Sequence, residues 1–283
     1  MGHGTYSFNS RSVRASTMGY STKSTQELFP QRDINSAMSP DGVTLREARD
    51  SDDHPDSFPI VLALDETGSM GSIPHFLVKE GLPNMMDKII KSGVNSPQIL
   101  FLGIGDHKCD RSPLQVGQFE SSDDLLDKWL TDLYLEGGGG GNAGESYHLA
   151  WFFAGRYTFT DSLEKRGKKG VLITIGDEPT LKSISSSSLK SIMGDGEYSD
   201  VSAAELLDSA REKYHVFHLH MLQGHNGNRQ DVKDGWKELM GDDAIFVQRR
   251  EDVADIIADI VSNVALSTSN QTTKVKATTE EML

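Results

Sequence analysis

The chain has 283 residues, with 28 Lys and Arg against 42 Asp and Glu, a formal net charge of −14. That sign opposes phosphate backbones and anionic bilayers, whose binding rests on Lys and Arg, so nucleic acid and membrane surfaces are excluded as partners. A single cysteine forms no internal disulfide, which fits a reducing, cytoplasmic setting.

The hydrophobic fraction of 36% is enough for one sizeable core but low for a compact chain of this length, which points to unpacked tails. The start, MGHGTYSFNS, lacks the apolar stretch of a signal peptide. It carries Tyr6 where a myristoylation pattern wants Ser or Thr. Every apolar run is far shorter than the ~18–20 residues that span a bilayer.

Residues 1–57 are rich in Ser, Thr, Arg and Asp without a regular apolar pattern, and read as an extended or disordered arm. Tyr6, Phe8, Tyr20, Leu28 and Phe29 leave open that the arm wraps the domain or a partner. FPIVLAL at 58–64 is an almost wholly apolar run, the signature of a strand buried on both faces. A helix is expected over 73–92, with Pro74 in its first turn and an interruption at Pro83. QILFLGI at 98–104 is a second buried strand, and PLQVGQF at 113–119, with Gly117, a weaker edge strand. Ser121 or Ser122 then caps a helix carrying Leu125, Leu126, Trp129, Leu130 and Leu133 at helical spacing.

A glycine run over 137–141 leads to a helix expected over 144–157 and a strand at 170–175. The Ser-rich stretch 183–191 follows, with no element assigned to it. Ser202 and Glu205 form a capping box for a helix at 202–213. A strand at 214–222, a helix at 229–240, a strand at 244–247 and a helix at 251–265 complete the domain. Residues 267–283 read as a flexible tail. Alternating strands and helices predict an α/β fold over 58–266, with a mostly parallel sheet and helices on both faces.

Ligands of such sheets bind beyond the carboxyl ends of the strands. There the sequence places Asp65, Glu66, Thr67, Gly68 and Ser69 after the first strand. Asp106, His107 and Asp110 follow the second, and Asp177 and Glu178 follow the strand at 170–175. Carboxylates and hydroxyls without a Cys pair or His triad suit a hard cation, Mg²⁺, Mn²⁺ or Ca²⁺.

The Asp65-Glu66-Thr67-Gly68-Ser69 turn resembles the first metal-binding motif, Asp-x-Ser/Thr-x-Ser, of von Willebrand factor A domains. The resemblance extends by element order over about 58–266. It implies a Rossmann-like, mostly parallel sheet with one antiparallel edge strand, which the weak strand at 113–119 would supply. It also implies a divalent cation held through Asp65, Thr67, Ser69 and Asp177. In the family's second motif a Thr precedes a Gly-Glu pair; aligning on Gly144-Glu145 puts Gly141 at that position. Asn142 or Ser146, a backbone carbonyl or a water then fills that position, and Glu145 stands as a further candidate ligand. Asp177 is likewise shifted within its run, Thr174-Ile175-Gly176-Asp177-Glu178.

The function implied is a metal-dependent interaction module that binds a partner protein's Asp or Glu. Prokaryotic members pair with AAA+ ATPases of the MoxR type or serve stress and phage-conflict systems. Asp106, His107 and Asp110 would line the partner surface.

Two other readings stand beside it. The arm offers a means of tying copies into a homo-oligomer, with the metal incidental. A metal-dependent hydrolase would draw its acid and base from Glu66, Glu145, Asp106, Glu178 or His107. The glycine run lacks the Lys-Ser/Thr ending of a phosphate loop. His218 and His220 alternate on one strand face, where structural histidines are commoner than zinc ligands. Cys109 has no identifiable base beside it.

Overall fold

The computed structural model describes residues 4–68, 70–94, 96–136 and 144–280, with side chains to residue 267. Its first elements are α1 (Phe8–Met18), α2 (Thr25–Leu28) and the short strand β1 (Arg46–Ala48). Then come β2 (Phe58–Asp65), α3 (Ser72–Phe76), α4 (Leu82–Lys91), β3 (Pro97–Ile104), β4 (Leu114–Val116) and α5 (Asp123–Thr131). The middle holds α6 (His148–Tyr157), β5 (Thr158–Thr160), α7 (Asp161–Arg166) and β6 (Gly170–Gly176). The remainder is β7 (Ser183–Ile184), α8 (Ser186–Met193), β8 (Val201–Ser202), α9 (Ala203–Lys213), β9 (Tyr214–Met221), α10 (Gln230–Met240), β10 (Ala244–Val247) and α11 (Val253–Glu280).

The main sheet has the order β10-β9-β6-β2-β3-β4. Every neighbouring pair in it is parallel except β3 with β4. This is the expected Rossmann-like sheet with its antiparallel edge. Every residue of β2 and β3 is buried, because helices cover both faces. Strand alternation splits β2 between two cores. Ile60, Leu62 and Leu64 pack with residues of α4, α5 and α11, while Val61 and Ala63 pack with α6, α8, α9 and α10.

Several boundaries differ from the sequence reading. The helix expected over 73–92 stays continuous, but a π turn at Leu77–Gly81 separates α3 from α4. A wider turn just ahead of Pro83 accommodates a ring that brings no N–H. The carbonyl of Val78 within that turn accepts from the Arg11 guanidinium.

The segment expected as an extended or disordered arm contains α1 and α2 and folds against the domain. Tyr20, Leu28, Phe29 and Met38 enter the core. Arg11 reaches Asp127 on α5 at 2.8 Å, with both side chains 3% exposed. Single anchors and ion pairs hold it in place of a periodic apolar face, so periodicity did not reveal it. β1 pairs in parallel with β5 as a separate small ribbon.

The helix expected from residue 144 begins at His148, because Glu145 forms a bridge with Thr180 instead. The Ser-rich stretch folds as β7 and α8, with Ser185 Oγ accepting the Ser188 N–H at 3.1 Å. The tail expected as flexible from 267 continues α11 to Glu280; no Gly or Pro interrupts the chain there. Among the described residues no helix is long and apolar enough to cross a membrane.

Candidate functional site

The carboxyl ends of β2 and β6 lie side by side, with Leu64 beside Ile175. Asp65 closes β2, and Asp177 follows Gly176 at the end of β6. A Cβ added to Gly176 would lie 2.8 Å from Asp65 Oδ2. Strand adjacency therefore brings two carboxylates together from residues far apart in the chain.

Asp65 is fixed by three donors. Its Oδ1 accepts the Thr67 N–H at 2.9 Å and the Thr67 hydroxyl at 2.6 Å. Its Oδ2 accepts the Tyr147 hydroxyl at 2.7 Å. Burial nevertheless pushes Asp65 up to about 7, Asp177 adding to the effect and the hydrogen bonds opposing it. Thr67 and Asp177 are buried with it. Ser69, Asn142 and Gly141, with the rest of the glycine run, lie outside the described residues.

Glu145 is brought to the same cluster. Its Oε2 is buried without a hydrogen-bond partner. Burial pushes the group up to about 10, and the charges acting on it are those of Asp65, Asp110, Asp106 and Glu178. Asp106 Oδ1 accepts the Lys108 N–H at 2.9 Å, while Oδ2 is buried and unpartnered. Asp110 Oδ2 accepts the Asp106 N–H at 2.6 Å, and burial raises its carboxyl. Glu178 Oε1 accepts the Asn226 side-chain amide; its Oε2 has no partner.

Ser146 does a different job from a free ligand. Its hydroxyl oxygen accepts the His107 N–H at 2.9 Å and lies 2.8 Å from His107 Nδ1. It ties the loop after β3 to the start of α6. Burial lowers His107 below its ordinary value. Glu66 lies across Gly103 of β3, where an added Cβ would sit 1.2 Å from its Oε1. Its Oε2 accepts the Gln115 amide.

His218 Nδ1 lies 2.9 Å from the Thr174 hydroxyl, and its ring stacks on Trp236 with centroids 3.5 Å apart. His220 Nε2 lies 3.0 Å from the Gly227 carbonyl. Both serve packing. Among the described residues no group of three or more His, Cys, Asp or Glu side chains is arranged to hold a metal ion by itself. Any cation here therefore draws also on hydroxyls or on residues outside the described set.

Two residues of the cluster had escaped the sequence reading. By its spacing Tyr147 is only one more residue of the helix expected over 144–157. Asn226 lies in a glycine-flanked turn after β9, another strand end of the same sheet. The rule that strand ends carry the site would have found it.

Neither a protein-family model nor a curated protein matches the chain. Among solved structures it is similar to proximal thread matrix protein 1 of the mussel byssus, at 13% identity and a TM-score of 0.48, over 74% of this chain and 48% of that one. It is also similar to the pilus adhesin SpaC of Lactobacillus rhamnosus GG in its open conformation, at 13% identity and a TM-score of 0.47, over 77% of this chain and 31% of that one. The chain thus spans about half of the first structure and a third of the second. Likenesses this distant carry no information on what the chain binds.

Proposed function

We propose that the chain is a cation-dependent interaction module of the von Willebrand factor A type, which binds an Asp or Glu of a partner protein. The observation that carries this reading is a set of buried carboxylate oxygens without donors, Glu145 Oε2, Asp106 Oδ2 and Glu178 Oε2, around Asp65 and Asp177. Buried carboxylates are costly unless paired, and the charges acting on Glu145 are all negative. An all-oxygen donor set of this kind fits Mg²⁺, Mn²⁺ or Ca²⁺.

Asp65, Thr67, Ser69 and Asp177 would hold the ion, with Glu145 and Asn142 as further oxygen donors. When bound, the cation turns an acidic surface locally positive, so that a partner's carboxylate is attracted to it. The chain's own residues set the geometry. Thr67 donates its hydroxyl hydrogen to Asp65, which leaves the oxygen's lone pairs for a cation. Tyr147 orients the other oxygen of Asp65. The His107–Ser146 contact fixes the loop beside Asp106.

Peptides displayed with a single Asp or Glu test the reading. Retention in Mg²⁺ or Mn²⁺, release by EDTA and no retention by Asp65→Ala are the expected results. Retention that is equal in EDTA would overturn it.

A further inference from the structure

We infer that the turn after β9, residues 224–227, is a latch on Asp177 and that Asn226 is a positioning residue for the proposed cation site. The inference rests on the metal reading for its effect on affinity, and on the geometry alone for the latch.

All three polar groups of Asn226 that face this region are engaged. Its backbone N–H donates to Asp177 Oδ2 at 3.3 Å. Its side-chain amide donates to Glu178 Oε1. Its Oδ1 accepts from Arg229 Nη1 at 3.3 Å, and Arg229 pairs in turn with Asp231 at 2.6 Å. One residue therefore touches both carboxylates that follow β6 and ties them to the start of α10.

The turn is built to come this close. A Cβ on Gly224 would lie 2.2 Å from Asp177 Oδ2 and 2.3 Å from Asp177 Cβ and Cγ. No side chain fits there while Asp177 stays where it is. A Cβ on Gly227 would lie 2.0 Å from the Met221 carbonyl oxygen, so this glycine lets the turn fold back on its own strand. The turn is braced independently of the carboxylates. Gly227 N–H donates to the Gly224 carbonyl at 3.3 Å, and Arg229 N–H to the Asn226 carbonyl at 3.0 Å. Asn228 Nδ2 donates to the Leu222 carbonyl at 2.8 Å. A braced turn presents Asn226 as a fixed donor, and Asp177, fully buried beneath it, is held in one orientation. Groups that orient a metal-binding carboxylate commonly change affinity 10–100-fold when removed.

The test is calorimetric titration of metal-stripped protein with Mg²⁺ and Mn²⁺, with melting temperature and amide exchange measured on the same samples. Gly224→Ala, whose added methyl displaces Asp177, should weaken cation binding about 10-fold or more. Asn226→Ala, which keeps the backbone N–H to Asp177 and loses the side-chain bond to Glu178, should weaken it by a smaller factor, with little change in the melting temperature of the metal-free protein. Asn228→Ala, which loosens the turn without touching either carboxylate, should leave the affinity within about 2-fold; this control separates positioning from mere loop integrity. A loss with Asn228→Ala equal to that with Gly224→Ala overturns the positioning role. Amide exchange decides the latch without any metal. The Asn226 amide should be protected in the wild type and lose protection in Asp177→Ala. A fast-exchanging Asn226 amide in the wild type contradicts the latch. Wild type that binds neither cation removes the metal reading and the affinity role with it, while protected exchange at Asn226 would still establish the contact.

Discussion

Tyr147 donates its hydroxyl to Asp65 across 82 positions of sequence, at 2.7 Å. The bond joins the end of β2 to the residue that precedes α6. Gly176 permits it, since a Cβ there would lie 1.8 Å from the Tyr147 oxygen. The Tyr147 ring meets Trp236 and His218 edge-on, with centroids 5.5 and 5.1 Å away. The phenol is thus clamped by aromatic packing before it reaches the carboxylate.

Removing that donor should be costly. Tyr147→Phe leaves Asp65 Oδ2 buried without its donor, and the expected loss is about 1–3 kcal/mol of unfolding free energy. Gly176→Ala forces the phenol aside and should cost about as much by overpacking. Urea denaturation of both variants in EDTA checks this. A Tyr147→Phe protein as stable as wild type would mean that the bond contributes nothing.

The titration of the buried acids has a definite sign. In metal-free protein Asp65 is pushed from 3.8 to about 7 and Glu145 from 4.5 to about 10. The folded chain then holds protons that the unfolded chain releases, so these groups lower stability as pH rises from about 4 through about 10. His148, driven by burial from 6.5 to about 3, acts in the opposite direction. The unfolded chain binds a proton that the folded chain refuses, and stability falls as pH drops below about 6.5. Two acids outweigh one histidine above about pH 4, so in EDTA these groups place the stability maximum at about pH 4, with the melting temperature declining from there towards pH 9. Mg²⁺ should restore more at pH 9 than at pH 5, because the cation competes with protons for the same oxygens. Equal restoration at both pH values would contradict the account.

The N-terminal segment contributes to the stability of the domain. Arg11 and Arg14 converge on Asp127 at 2.8 and 2.9 Å. The Arg11 contact is ionic, without the alignment of a hydrogen bond. Asp127→Ala strands the buried Arg11 guanidinium and should cost about 3–5 kcal/mol. Arg14→Ala, whose side chain is 25% exposed, should cost about 1 kcal/mol or less. Guanidinium denaturation distinguishes the two. An Asp127→Ala protein of wild-type stability would show that α1 is not fastened to α5.

Much of the fold was legible because its strands are buried on both faces. FPIVLAL, QILFLGI and GVLITI are nearly continuous apolar runs, as a strand buried between two helical layers favours. The edge strand β4 was legible from its stronger alternation and from Gly117. α8 was not, because its first turn is serine and only Leu189 and Met193 reach the core. α1 was not, because its one buried side chain is Arg11, and a charge reads as surface until its partner is known. Asp65 and Asp177 were found because each follows a strand, and the order of β2 and β6 in the sheet then brought them together. Tyr147 and Asn226 depend on the packing of α6 and of the turn after β9, which residue spacing does not encode.

Calorimetry of metal-stripped protein titrated with Mg²⁺, Mn²⁺ and Ca²⁺ tests the central claim most directly, beside a variant carrying Asp65→Ala and Ser69→Ala. The account predicts saturable one-site binding by the wild type, with the heat abolished in the variant and weakened by Asp177→Ala. Binding that survives in the Asp65→Ala, Ser69→Ala protein, or wild type that takes up none of the three ions, would contradict it.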